Sequence, residues 1–262
     1  MKKQIIAISL GLMSIGMFAQ KKELRSIDKA IDKNDFKTAK AEIAVLESNE
    51  SAIEEKYEAW YYYLKGSAYG KSNVEKAVEA YDKLFEIEKE SGRSKYTDEA
   101  KPKLNELIQF VSNKAISAYN DDKDYVTATK NFYLTYKLSP TDTIFLYNAA
   151  VSASLQKDYD TSFEYYKELQ DIGYTGVATQ YFAVNKETGA KENLGGKSQR
   201  DLMVKTGQYN TPTDENTESK QADIIKNLSF ILIAQGKTDE AIVAIKEARK
   251  NEPKDLNLLL NE

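Results

Sequence analysis

The chain contains no histidine and no cysteine, and this bounds its chemistry before any motif is read. Without cysteine there are no disulfides, no thiolate nucleophile and no Cys-based zinc site. Without histidine the usual general base and the commonest metal ligand are missing. Acid–base work would fall to carboxylates, and the adjacent pairs Glu54-Glu55 and Asp121-Asp122 are the visible candidates. Neither has the spacing of a calcium-binding loop, and neighbouring surface acids need no catalytic explanation. Gly195-Gly196 shows no strand-before-helix context for phosphate binding and reads as a loop. No catalytic residue, cofactor or metal is therefore expected. What remains is aromatic: Tyr57, Trp60, Tyr61, Tyr62, Tyr63 and Tyr69 fall within one short stretch. An amphipathic helix buries part of such a cluster, and the rest is the kind of rigid contact area that binding surfaces use.

The elements that would position these residues are written as a repeated turn. Asn34-Asp35-Phe36, Ser72-Asn73-Val74, Lys123-Asp124-Tyr125, Lys157-Asp158-Tyr159 and Gly236-Lys237-Thr238 each precede a small residue: Ala39, Ala77, Ala128, Ser162 and Ala241. An apolar stripe follows, as in Ala241, Ile245 and Ala248 before Pro253. Such a helix–turn–helix unit cannot bury its apolar face alone, so its repetition predicts a stacked solenoid. Small residues let paired helices approach closely while bulky ones fill the space between them. Pro140 and Pro253 should end the second helix of their units.

On these positions the chain resembles the tetratricopeptide repeat family. The last complete unit fits best, through Ile225, Leu228, Ser229, Leu232, Ala241, Ile245, Ala248 and Pro253. The third reads through Ala115, Ile116, Tyr119, Ala128 and Phe132, and the fourth through Leu146, Ala149, Ala150, Ala153, Ser162 and Tyr166. The second, with Tyr62, Gly66, Tyr69 and Ala77, is one residue short in its turn. The first, with Ala30, Phe36, Ala39, Ile43 and Leu46, has a nearly polar leading helix, as a terminal cap would. The resemblance implies an all-α solenoid of helical hairpins, wound as a right-handed superhelix. It also implies a concave face on the first helices that holds a peptide or protein. Carried over by position, that face comprises Trp60, Tyr63 and Ser67, then Phe110, Asn113 and Asn120, then Tyr147 and Val151.

Several segments lie outside the repeat pattern. Lys2, Lys3 and the apolar run Ile5 to Phe18 read as a signal peptide over residues 1–20. Ala19 and the stretch Ser14-Ile15-Gly16 compete as the cleavage signal. Residues 21–174 hold four repeats and 219–262 a fifth, followed by the start of a sixth pair at Asp255 and Leu256–Leu260. The insert 175–218 is expected to form a β-hairpin, Gln180–Asn185 against Ala190–Leu194, and then a loop over Gly207–Ser219. A long helix is expected from an N-cap at Thr97 to about Asn120, with Pro102 in its early turns.

Formal net charge is −4, with both signs mixed along the chain, which speaks against a nucleic-acid partner. The expected function is a non-enzymatic scaffold, periplasmic or at the cell surface and not inserted in the membrane after signal cleavage. It would bind a protein or peptide on its concave face. The alternative is an accessory or hydrolytic envelope enzyme with its site between the 175–218 insert and the solenoid.

Overall fold

The computed structural model describes residues 20–48 and 53–251, with side chains to residue 246. The signal-peptide reading of residues 1–19, the helix stop at Pro253 and the leucine segment 256–260 lie outside the described residues. Two compact units follow one another, Met1–Phe145 and Leu146–Glu262.

The first unit contains α1 (residues 20–32), α2 (Phe36–Glu47), α3 (Glu55–Tyr69), α4 (Val74–Ser91), α5 (Lys95–Ser117) and α6 (Tyr125–Leu138). The repeated turn has a physical explanation at each hairpin. In every hairpin but the second, a residue in the left-handed conformation closes the first helix: Asn34 at φ 58°, Lys123 at 55°, Lys157 at 65° or Gly236 at 77°. At Asn34 the amides of residues 34 and 35 bond back to Ile31 and Ala30, and residues 157 and 158 repeat the arrangement with Ser154 and Ala153, a Schellman stop. The next residue starts the second helix, because Asp35, Asn73, Asp124 and Asp158 accept from the backbone amides of Thr38, Lys76, Thr127 and Thr161. Four residues on from each of these four caps stands the small residue of the pattern. Ala39, Ala77, Ala128, Ser162 and Ala241 are all fully buried.

Two hairpins depart from the common length, and their helix ends absorb the difference. Gly66 and Ala77 are one residue closer in sequence than Ala150 and Ser162, and α3 ends in the tight 3₁₀ turn Gly70–Ser72. Ala115 and Ala128 are one residue further apart, and α5 ends in the π-helical turn Ala118–Asp122. Consequently Ile116, read from sequence at the small-residue position of the third unit, is exposed, and buried Ala115 takes that place. Gly66 shows why the position must be small. A Cβ there would lie 2.7 Å from the Tyr81 ring.

The long helix α5 starts two residues before the expected cap. Its N-cap position is Ser94, and its orphan amides are satisfied from the preceding helix. Buried Glu88 of α4 accepts from Tyr96 N (2.9 Å) and Thr97 N (2.8 Å) with its two oxygens. Pro102 is accommodated inside α5 on its exposed side. The leading helix α1 is less polar in effect than its composition suggests, because Leu24, Ile27, Ala30 and Ile31 line one buried face.

The second unit contains α7 (Ile144–Leu155), α8 (Tyr159–Asp171), β1 (Thr179–Asn185), β2 (Lys191–Asn193), α9 (Lys197–Lys205), β3 (Tyr209–Asn216), α10 (Gln221–Ala234) and α11 (Thr238–Asn251). The expected hairpin is present as antiparallel β1–β2, with Gly189 at φ 69° in its turn. The stretch expected to be a loop is instead strand β3, which pairs with the other edge of β1 in the order β2-β1-β3. A bulge at Thr211 and Pro212 opposes Ala183, with Thr211 at φ 47°. Proline lacks a ladder donor and sits on an edge strand at a bulge, the place a sheet tolerates it. Gly195-Gly196 therefore does lie between a strand and a helix, contrary to the sequence reading. α9 packs against β1 and β3, and its Arg200 is buried there.

Candidate functional site

Helices α1, α3 and α5 are the leading helices of the first three hairpins, and they bring the best-defined candidate site together. Trp60 of α3 is half-buried and stacks on Tyr96 of α5, with centroids 6.4 Å apart and planes 7° from parallel. Tyr63 stacks on the same ring at 5.8 Å. Lys103 of α5 donates to the Tyr63 hydroxyl at 3.1 Å and lies 5.1 Å from its ring centroid. Lys95 donates to the Tyr96 hydroxyl at 3.3 Å, and that bond holds its pKa above the usual ammonium range. Glu88 fixes the backbone from which the Tyr96 ring projects, since one of its oxygens accepts from the Tyr96 amide.

Acids from α1 and α5 complete the cluster. Asp28 feels Asp32, Lys103, Glu99 and Lys95, and its pKa is raised, first by burial and then by the neighbouring Asp32 carboxylate. The site thus presents an aromatic row flanked by lysines on α5 and by a carboxylate whose charge is incompletely compensated. Aromatic faces with adjacent cations and anions suit polypeptide side chains. They provide no nucleophile with a base beside it.

The eight residues expected on the binding face separate in three ways. Trp60 is half-buried, whereas Tyr63 and Ser67 are buried, at 9% and 7% exposure. Tyr63 offers its hydroxyl edge to Lys103, and Ser67 Oγ lies 3.4 Å from the Tyr81 hydroxyl. Both side chains therefore belong to the packing, which corrects their reading as accessible surface. Phe110, Asn113 and Asn120 are exposed further along α5, where Lys71 lies 5.9 Å from the Phe110 ring and pairs with Glu106. Tyr147 and Val151 belong to the second unit and are half-buried. Tyr147 packs edge-on to Tyr166 at 6.3 Å and beside Tyr174 at 5.9 Å. The Tyr166 hydroxyl accepts from Asn227 at 3.0 Å, and burial pushes its pKa well above the ordinary phenol value.

Sequence reading missed Tyr96, Lys95, Lys103 and Asp28. Tyr96 precedes the expected start of α5, so no helical register was assigned to it. Its pairing with Trp60 spans two helices and leaves no periodic trace.

The other chemical candidates are structurally occupied. Glu54 pairs with Lys56 at 2.7 Å, and Asp121 accepts from Ser117 at 2.9 Å. In the insert, Arg200 pairs with Asp201 (2.7 Å) and Asp214 (2.6 Å), Glu215 pairs with Lys191, and Glu192 accepts from Tyr209 at 2.6 Å. Among the described residues no cluster of three acids could hold a metal ion, and no helix is long and apolar enough to cross a membrane.

No family model and no characterised protein matches the sequence. Solved structures similar to the chain include PilW, a widely conserved type IV pilus biogenesis factor, at 12% identity. That similarity covers 92% of this chain and 97% of that one, with a TM-score of 0.34. The yeast Sti1 TPR2AB domain, solved in complex with pHSP90, is 15% identical over 90% of this chain and 79% of that one, with a TM-score of 0.29. PilF of Pseudomonas aeruginosa is 13% identical over 93% and 96%, with a TM-score of 0.26. The fold assignment stands on the chain's own packing, in which left-handed stops, Asx caps and buried small residues recur from hairpin to hairpin. By that packing the chain is a tetratricopeptide-like helical-repeat protein carrying a small antiparallel sheet.

Proposed function

We propose that the protein is a non-enzymatic scaffold of the bacterial envelope that binds a protein or peptide through the leading-helix face of its first unit. The observation that carries this reading is the half-buried Trp60 stacked on Tyr96, with Lys95, Lys103 and Asp28 around it. Rings held rigid by packing lose little entropy when a partner covers them, which is why such residues become binding anchors. Phe110, Asn113 and Asn120 extend the same helix as a secondary strip. Tyr147 and Val151 are assigned to a separate contact in the second unit. Export is supported by Lys2-Lys3 and the apolar run that follows. The acidic net charge supports a protein partner over a nucleic acid.

The test begins with affinity capture by the mature chain from the envelope fraction, followed by titration of the purified partner. Trp60→Ala should weaken binding by about tenfold or more while helical content is unchanged. Equal affinity of the variant and the wild type would reject this face as the binding site.

A further inference from the structure

The three-stranded sheet of the insert has two edges of different character. Along β3 the backbone is interrupted by the bulge at Thr211 and by Pro212, features that keep a further strand from pairing. Strand β2 has neither. The Asn185 amide bonds to the Ala190 carbonyl and the Leu194 amide to the Tyr181 carbonyl, each at 2.9 Å, so residues 190, 192 and 194 direct their backbone groups at β1. Lys191 and Asn193, both exposed, direct theirs outward. A charged side chain commonly screens such an edge, yet all three β2 side chains are turned back over the protein. Lys191 lies across Phe182, 4.8 Å from its ring centroid, and pairs with Glu215 on the far strand of the sheet. Glu192 accepts from the Tyr209 hydroxyl at 2.6 Å and from Asn185 at 3.2 Å, and Asn193 accepts from the Gly195 amide at 2.9 Å. Among the described residues of the insert only Ala183 and Arg200 are buried, so the sheet has little core of its own and gains from added pairing.

We propose that the outer edge of β2 takes up an extended segment of a partner protein as a fourth, antiparallel strand, with a lysine or arginine opposite Glu192 and β-branched residues on each side of it. Main-chain pairing supplies the affinity in this mode of recognition, and the side chains opposite the edge supply the selectivity. Glu192 is half-buried beside Tyr209 on one face of the sheet, and opposite charges stabilise cross-strand pairs. On the other face the incoming residues meet the hydrocarbon stem of Lys191 and the Phe182 ring. An edge of three residues is about 10 Å long. It covers a small part of the ~800 Å² per partner that a stable interface between folded proteins buries, which favours a flexible segment over a second copy. This surface lies in the insert and is separate from the Trp60 site.

The probe is acetyl-Thr-Val-Lys-Val-Thr-amide, titrated into the full isotopically labelled chain. The amide resonances of Lys191 and Asn193 should move saturably, and those of Asp214 and Asn216 on β3 should not. In antiparallel pairing the two valines present their amides to β2 and the lysine does not. N-methylation of the valines should therefore weaken binding by about tenfold or more, and N-methylation of the lysine by less than about twofold. A peptide with glutamate in place of the lysine should bind about two- to fivefold more weakly, and Glu192→Gln, which keeps an acceptor for Tyr209, should abolish that difference. No shift at β2, equal loss from the two N-methylated peptides, or indifference to the lysine overturns the proposal. Movement of the same amides with protein concentration alone also overturns it, by assigning the edge to a second copy.

Discussion

Gly66→Ala tests the close approach of α3 and α4 most directly. Alanine in mid-helix is intrinsically better than glycine by about 0.5–1 kcal/mol, so propensity alone predicts stabilisation. The packing predicts the reverse. The new Cβ would stand 2.7, 2.8 and 2.9 Å from three ring carbons of Tyr81, about 1 Å inside ordinary carbon–carbon contact. Tyr81 cannot easily retreat: it is 1% exposed, stacks on Phe85 at 6.4 Å, and its hydroxyl lies 3.4 Å from Ser67 Oγ. Burial also pushes its pKa up to about 12, so the ring stays neutral in any usual buffer. Overpacking of this kind costs about 1–3 kcal/mol, and a net loss of up to about 2.5 kcal/mol remains after the propensity gain. Thermal melting followed by circular dichroism should show a fall of roughly 2–4 °C per kcal/mol. In a double-mutant cycle with Tyr81→Leu, the pair should be less destabilised than the sum of the single changes, by about 0.5–3 kcal/mol. A Gly66→Ala protein melting at or above the wild type, or a cycle with no coupling, would refute the reasoning.

Further outcomes follow from the same geometry. Trp60→Ala should cost about 0.5–1.5 kcal/mol through the lost stacking on Tyr96 while reducing partner affinity. Tyr63→Ala, at a buried position, should lose roughly 3–5 kcal/mol of stability, so parallel melting and titration distinguish anchor from core. Glu88→Ala strips the Tyr96 and Thr97 amides of their acceptor, and about 0.5–2 kcal/mol should be lost with this cap, together with a change in Trp60 fluorescence as Tyr96 shifts. Asp28 has a raised folded-state pKa, so its contribution to stability is lost as pH rises from the unfolded carboxylate value through the folded one. Asp28→Asn should therefore raise the melting temperature at neutral pH and have no such effect below the carboxylate range. Asp35, Asp98 and Asp124 carry the opposite sign. Their pKa values are lowered by hydrogen bonds, first from the side chains of Thr38, Lys101 and Thr127. The stability they supply is present above the unfolded carboxylate value and lost as pH falls through the folded one, which an acid titration followed at the helix signal will detect.

The amino-acid sequence determines the hairpins because their signals are local. A left-handed stop, an Asx cap and a small residue four places later act within one turn of helix, so Asn34-Asp35 with Ala39 and Lys157-Asp158 with Ser162 can be read without a fold. The same locality made the β1–β2 hairpin legible through its Gly189 turn. The tertiary structure decided what depends on distant partners. The start of α5 was set by Glu88, a carboxylate of the preceding helix, and not by the Thr97 that local capping rules favoured. Strand β3 forms on polar residues around Pro212 because β1 offers it an unpaired edge, which no local propensity records. The candidate site divides along the same line. Trp60 and Tyr63 were named from their repeat positions, but which of them stays accessible was settled by Tyr96 and Lys103, reaching across from a helix more than thirty residues away.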